Sequence, residues 1–443
     1  MMFINNRSID SLFGVVFILI SQMPAKSKSQ IIFLTFLALP LSFVGIPIYL
    51  NISDFYARSF DLNLALIGFL LIFIRAFDAL QDPAIGWLSD HLASKKITRH
   101  KIITFASIFL SLSFYLIFNP PLTLSQNAAI AWFVMTLSLT YTCFNFITIN
   151  FESLAAISAQ NDSQRITINS YKEFFGILGM ILAFILPAIL SQFFAFSLSK
   201  SYTALSLVFG VLILFSTLVF LPRLKNDLVN FSTTKSSSFS NVLKDKKFLF
   251  FLTLFVVNSV AVSLPAANLN FFIRDILHDE KNLGWFLSIY FLSACLFIPL
   301  WKIIFKRFGI VQTWICSIAF SVLIFLFAYF LKAENSLYFY AVCFFSGMFL
   351  GPDLIAPPII LAQLTQNKKQ LVSSYFSMWN MAVKFGLMIA ASGSLIILSY
   401  FGYQPANSTS EGLQAVAFFY AALPCLLKIL VITLLFKWKK YEN

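Results

Sequence analysis

Three ionisable residues stand close together in an otherwise apolar stretch: Arg75, Asp78 and Asp82, within RAFDALQDPAIGWLSD. The run before them, LALIGFLLIFI, reads as the start of a membrane helix. A charged side chain at the centre of such a helix costs roughly 2.5–3.5 kcal/mol on insertion scales, so it faces protein or water and marks a pathway. The i, i+3, i+7 spacing puts the three groups within roughly 60° of one another on a helix. One face then presents a guanidinium and two carboxylates a turn apart, near enough to share a proton or a monovalent cation. With both acids ionised the cluster is net negative, and one bound Na⁺, Li⁺ or H⁺ neutralises it. A site that is neutral only when loaded crosses a closed state cheaply, as ion-coupled transport requires. Pro83 follows at once and frees a carbonyl one turn back, a further oxygen available to a cation. The competing reading is a static Arg–Asp network that fixes helix packing.

The elements that must carry these groups are membrane spans. Of the 443 residues, 59% are hydrophobic and 11% charged, against about a quarter charged in ordinary soluble domains. The mean hydropathy is +0.84. Apolar runs of about 20 residues, the length that crosses a bilayer core, occur at 31–50, 64–89, 102–119, 128–152, 171–196, 202–221, 248–272, 283–301, 310–331, 337–364, 375–401 and 413–436. The fold expected is an all-α polytopic membrane protein of twelve transmembrane helices in two six-helix halves. The longest polar interval, RLKNDLVNFSTTKSSSFSNVLKDKK, divides the set six plus six, as in transporters built from two related halves. The organisation expected is an N-terminal extension (1–30), a first bundle (31–222), a central loop (223–247), a second bundle (248–437) and a tail (438–443). Residues 1–22, with the short apolar run SLFGVVFILI, read as an extension ahead of Met23 or an interfacial segment.

With both termini on the cytoplasmic side, most of the 31 Lys and Arg fall in inner segments, including Lys95, Lys96, Arg99, Lys101, Lys244, Lys246 and Lys247. That bias accounts for the formal charge of +13 without nucleic acid. The five cysteines lie in apolar segments and read as small buried side chains. The three histidines fall in expected loops with no ligand spacing, so no metal centre or resident cofactor is expected. The 55 phenylalanines are expected mostly to face lipid.

Other polar groups punctuate the spans. Asn145, Thr148, Asn150 and Glu152 lie in the fourth, Lys172 and Glu173 at the start of the fifth, and Asn258 in the seventh. Asp353 sits in GPDLIAPP, where prolines break the backbone ladder, a feature that usually lines a cavity. Asn380 and Lys384 lie in the eleventh span. Lys384 needs a partner, and Asp353 or the second-span acids qualify. Glu152 reads either as a gating group or as a solvated helix end that pairs with Lys172. Lys428 reads as a lysine that snorkels or packs.

The pattern R-x-x-D-x-x-x-D-P-x-x-G-x-x-x-D, here Arg75, Asp78, Asp82, Pro83, Gly86 and Asp90, resembles the second helix of the glycoside–pentoside–hexuronide:cation symporters, the melibiose-permease group of the major facilitator superfamily. GIPIYL, DFYA, FESLAA, SYKEFFGILG, LGPDLIAPPIILAQ and MWNMAVKFG look similar to that family too. The resemblance implies the major facilitator fold and a cation site at Asp78 and Asp82. Asn145 and Thr148 are assigned to the same site, and Arg75 and Lys384 to tuning its charge. Solute contacts fall to Ser42, Asn258, Asp353, Trp379 and Asn380. Gating falls to Gly86, Asp90, Glu152, Lys172 and Glu173, although DHLASKKITRHK lacks the Gly-Arg pair usual in the gating motif. The family's helix-one acid is absent, with Ser42 nearest its place. Thr148 replaces the helix-four acid, and Lys172–Glu173 stand where the helix-five arginine belongs.

The function expected is cation-coupled symport (Na⁺ or H⁺) of a small polar solute, a sugar or glycoside, by alternating access. The alternative on the same fold is a lysolipid, amphiphile or drug transporter. A membrane-embedded enzyme ranks lower, since no nucleophile or metal pattern appears in the spans. A sensor or scaffold would carry a soluble signalling domain, which the sequence lacks. The expected setting is the inner (plasma) membrane, and the expected partners are solute, monovalent cation and lipid bilayer, with the chain monomeric.

Overall fold

The computed structural model describes residues 25–442 except 51, 61, 63, 96, 122, 195–197, 221–239 and 404–408. The extension ahead of residue 25 and most of the central loop lie outside the described residues. Among those described, every regular element is helical. In chain order they are α1 (Ala25–Thr35), α2 (Ala38–Leu50), α3 (Ile52–Phe60), α4 (Leu64–Ser94), α5 (Arg99–Phe118), α6 (Gln126–Ser158), α7 (Asp162–Phe194), α8 (Leu198–Phe215), α9 (Ser240–Lys244), α10 (Lys246–Phe271), α11 (Leu283–Phe308), α12 (Ile310–Ala328), α13 (Tyr338–Leu364), α14 (Val372–Tyr400), α15 (Ser410–Ala417) and α16 (Leu423–Glu442), with short π and 3₁₀ turns between some of them.

The described residues of each of the twelve expected spans are mainly helical. Nine stretches among the described residues are long and apolar enough to cross a bilayer. The expected second span is the 31-residue α4, which carries Arg75, Asp78, Asp82 and Asp90. Polar side chains close several helix starts, where the first N–H groups lack intrahelical acceptors. Ser125 accepts from the Ala128 amide, Asp245 from that of Phe248 and Thr409 from that of Gly412. Between α11 and α12 the chain turns on Gly309 at φ 84°, a left-handed conformation that favours glycine.

The helices form two compact units. One gathers residues 23–242 and 361–381; the other gathers 243–360 and 382–443. The end of α13 and the start of α14 therefore pack with the helices of the first unit. In that unit Phe114 lies between Phe118 and Phe209, with ring centroids 5.3 and 4.7 Å away. Gly179 on α7 lies so close to α2 that a methyl group there would strike the Leu39 carbonyl. The second unit is built around Phe272, Phe286, Phe339, Val416 and Tyr420, with Phe272 and Tyr420 stacked at 4.1 Å.

Three sequence expectations need correction here. Phenylalanine divides between interior and surface: Phe43, Phe114, Phe133, Phe174, Phe248 and Phe251 are fully buried, whereas Phe69, Phe73, Phe105 and Phe320 are exposed. Burying an aromatic ring removes so much apolar area from water that Phe fills bundle interiors as readily as it meets lipid. Four cysteines are buried as expected, but Cys316 is exposed. His91 and His100 lie within α4 and α5 rather than in loops, and only His278 is in a turn, at φ 51°.

Candidate cation site and helix latch

In the first unit α4 and α6 bring Asp78 of the second span against Asn145 of the fourth. Asp78 and Asp82 are 8% and 0% exposed. The Asn145 side-chain amide donates to Asp78 Oδ1 at 2.7 Å. One turn along α6, the Thr148 hydroxyl oxygen is buried and has no hydrogen-bond partner among the described residues. Thr142 donates to Gln81 Oε1 at 2.8 Å, and the Gln81 amide nitrogen is likewise buried without a partner there. Two carboxylates, a hydroxyl and amide oxygens make a donor set of hard oxygens, which suits Na⁺ or a proton and not a soft metal.

Arg75 shares the face of the two acids on the helical wheel, yet it is exposed. Exposure along this stripe changes with depth. Gly68 and Arg75 are open, whereas Ala79, Asp82, Gly86 and Asp90 are buried.

Further along α4 lies a second polar assembly. Asp90 sits at the start of α14 and accepts from the backbone amides of Ser373 (3.1 Å) and Ser374 (2.8 Å) and from the Ser374 hydroxyl (2.7 Å). These amides belong to the first turn of a helix, where no intrahelical acceptor reaches them and the helix dipole favours a negative charge. Arg99 at the start of α5 completes the assembly. It bonds Asp90 Oδ1 at 2.8 Å, reaches Asn150 at 3.2 Å and donates to the Ser373 hydroxyl. The Ser153 and Ser373 hydroxyls lie 2.9 Å apart. At Gly86 a methyl group would meet the Ser377 side chain and the Ser373 carbonyl, so glycine permits the close approach of α4 to α14. We call this arrangement the latch.

A third group joins α6 to α7. Lys172 donates to both oxygens of Glu152, at 2.8 and 3.0 Å, and lies 3.3 Å from Glu173. Glu152 is buried, so the reading of a solvated helix end is corrected: the pairing with Lys172 exists, but in the interior. Also in the first unit, Ser42 faces Gly176 across α2 and α7.

In the second unit Lys428 on α16 donates to Asp353 Oδ2 at 2.6 Å and to Asn258 Oδ1 at 2.9 Å. Trp314 donates to Asp353 Oδ1 at 2.7 Å. Lys428 is buried, which corrects its reading as a lysine that snorkels or merely packs. Asp353 and Asn258 are thus brought together, each holding Lys428. Trp379, Asn380 and Lys384 share one stretch of α14, all half-buried.

The model of the MFS/sugar transport protein family matches residues 33–439. The chain belongs to that family. Such proteins are membrane transporters and not enzymes, and the twelve-helix major facilitator architecture accounts for the all-helical fold. Among relatives, an uncharacterized symporter, YnaJ of Bacillus subtilis, is 24% identical over 57% of this chain and 57% of its own. The inner membrane symporter YicJ of Escherichia coli is 23% identical over 31% of this chain, and the match covers 30% of YicJ. The sodium-dependent lysophosphatidylcholine symporter 1 of Xenopus tropicalis is 22% identical over 79% of this chain and 76% of its own. Among solved structures, a bacterial homologue of the iron transporter ferroportin in an outward-facing state superposes with TM-score 0.72 at 13% identity, covering 93% of this chain and 98% of that one. The E. coli fucose:proton symporter FucP does so at 0.63 and 14%, covering 91% and 97%. At these identities the structures share the fold alone.

In this MFS-family transporter, sequence reasoning missed Arg99, Ser373, Ser374 and Lys428 as members of polar assemblies. Arg99 was available as a signal: it is the arginine nearest Asp90, in a stretch lacking the usual Gly-Arg pair.

Proposed function

We propose that this transporter couples the movement of a monovalent cation, Na⁺ or H⁺, to that of a small organic solute. The observation that carries the reading is the buried α4–α6 cluster of Asp78, Asp82, Asn145 and Thr148. A membrane interior tolerates two carboxylates on one face when a cation or proton neutralises them during turnover. Asn145 orients Asp78, the Thr148 hydroxyl supplies a further oxygen, and Arg75 on the same helix tunes the charge. The relatives named as symporters support the same reading.

For the solute, the family's description favours a sugar or glycoside, with Ser42, Trp379 and Asn380 as contacts. A second reading has a specific support: the Xenopus relative, whose name gives a sodium-dependent lysophosphatidylcholine symporter, matches 79% of this chain. The uncharged α2, with Ser42 where a sugar-binding acid is expected, suits an amphiphile equally. On this reading the chain is a plasma-membrane monomer with both termini cytoplasmic. The latch then closes the cytoplasmic side, with Glu152, Lys172 and Glu173 beside it.

Uptake into proteoliposomes under imposed Na⁺ or H⁺ gradients, with a panel of glycosides and lysophosphatidylcholine, tests both parts. Asp78→Asn and Asp82→Asn are expected to abolish gradient-driven accumulation while the protein still inserts. Concentrative uptake in both variants refutes the site.

A further inference from the structure

The second unit contains a buried charge pair for which the proposed cation site has no use. Lys428 and Asp353 bond at 2.6 Å, with Asn258 and Trp314 holding the remaining faces of the two groups. Beside them is a cavity of about 60 Å³, bordered by Asp353, Lys428, Tyr290, Ser321, Ser346 and Cys425. The lining is part apolar, but its Asp353, Lys428, Ser321 and Ser346 side chains give water polar partners, and a space of this size admits a few water molecules.

Each partner sits next to a break in its own helix. Pro352 immediately precedes Asp353 on α13, and Pro357 and Pro358 follow one turn later. On the way to Lys428 the chain passes through a π turn, Phe418–Ala422, and then Pro424. Prolines remove rungs of the backbone ladder, and π turns recur at functional sites. The two helices carrying the pair can therefore bend where the charges meet.

We propose that Asp353 is a proton-binding station in the second unit, with Lys428 as the internal cation that occupies its carboxylate whenever no proton is bound. When α13 and α16 separate at their breaks, the Lys428 ammonium leaves Oδ2 and stays on Asn258. A proton from water in the cavity then binds Oδ2. When the helices return, the proton goes back to water and the ammonium re-forms its bond to Oδ2. Each cycle moves one positive charge into and out of the unit. The groups that face Asp353 are few among the described residues. Lys428 on α16 supplies the charge, Tyr290 on α11 and Cys425 on α16 are the other titratable groups lining the cavity, and Trp314 and Asn258 do not titrate. The station is separate from Asp78 and Asp82, so its failure and theirs are distinguishable.

The test is infrared difference spectroscopy of the full chain in phosphatidylcholine vesicles, titrated from mildly alkaline to mildly acidic pH. The wild type is expected to gain a protonated-carboxyl band that D353N loses and that D78N and D82N retain. K428M, which strips the internal cation, is expected to show that band already at the alkaline end, and D353E to keep it at a shifted frequency. A D353N spectrum that superimposes on the wild type overturns the proposal, as does a K428M titration that coincides with the wild type's, with the band absent at the alkaline end; a static pair gives that K428M outcome. If D353N fails to insert, the double variant D353N/K428Q removes both charges together and carries the same comparison.

Discussion

Replacing Asp90 by alanine is expected to open the latch, and the structure sets the scale. Asp90 and Arg99 stand on the adjacent helices α4 and α5, so their ion pair can persist whether or not α14 is docked. What docking adds at Asp90 is three bonds to α14: two first-turn amides and the Ser374 hydroxyl. Hydrogen bonds to a charged group contribute about 1.5–3 kcal/mol each when buried. They are not additive, and water replaces part of them on release, so about 3 kcal/mol for the set is a working value. At 1.4 kcal/mol per tenfold, that shifts the docked–undocked equilibrium by on the order of 150-fold. Ser377→Cys supplies the readout. Ser377 is fully buried against Gly86 and, among the described residues, bonds within its own helix at the Ser374 carbonyl, so a thiol in its place is a near-isosteric reporter. A charged maleimide added to vesicles, with labelling mapped by mass spectrometry, should modify that introduced thiol far faster in the D90A background. Labelling of the same introduced thiol with Asp90 intact serves as the reference. D90N, which keeps an acceptor but no charge, should fall between the two. A rate within about twofold of the protein with Asp90 intact, against the ~150-fold expected from bonds of this strength, refutes the idea that Asp90 holds α14 in place.

Two further outcomes follow from buried contacts. Lys172→Met, which leaves Glu152 and Glu173 without their shared cation, should lower detergent-phase thermal stability by about 3–5 kcal/mol, whereas Glu152→Gln, which leaves Lys172 paired with Glu173, should cost less; equal losses in the two would contradict this. Gly179→Ala should destabilise the first unit by about 1–3 kcal/mol through overpacking against the Leu39 carbonyl, seen as a lower midpoint in the same melt, whereas Gly284→Ala, which meets open space, should not.

The spans were legible because a run of about 20 apolar residues has few structures open to it in lipid. Asp78 and Asp82 were legible because charges in such runs are rare, and their helical spacing carried over to their common burial. The latch was half legible. The spacing from Asp78 to Asp90 is local to α4, but Ser373 lies 274 residues from Arg99, and no periodicity encodes a contact of that reach. Lys428 was misread for the same reason. It lies close to the basic run Lys437, Lys439 and Lys440, where snorkelling is the ordinary fate, while its partners Asp353 and Asn258 are 75 and 170 residues away. The exposure of Arg75 depends on what packs at each depth of α4, which a helical wheel does not contain.

Pro83 lies on α4 between Asp82 and Asp90, so the acids and the latch are two ends of one element joined where its ladder lacks a rung. Asp78 and Asp90 are about 18 Å apart along the axis, at about 1.5 Å per residue. A bend of about 10° at that soft joint would swing the far end by about 2 Å, counting the seven residues beyond the proline, enough to part hydrogen bonds near 3 Å. Neutralising a carboxylate at one end thus has a mechanical route to the other through a single helix.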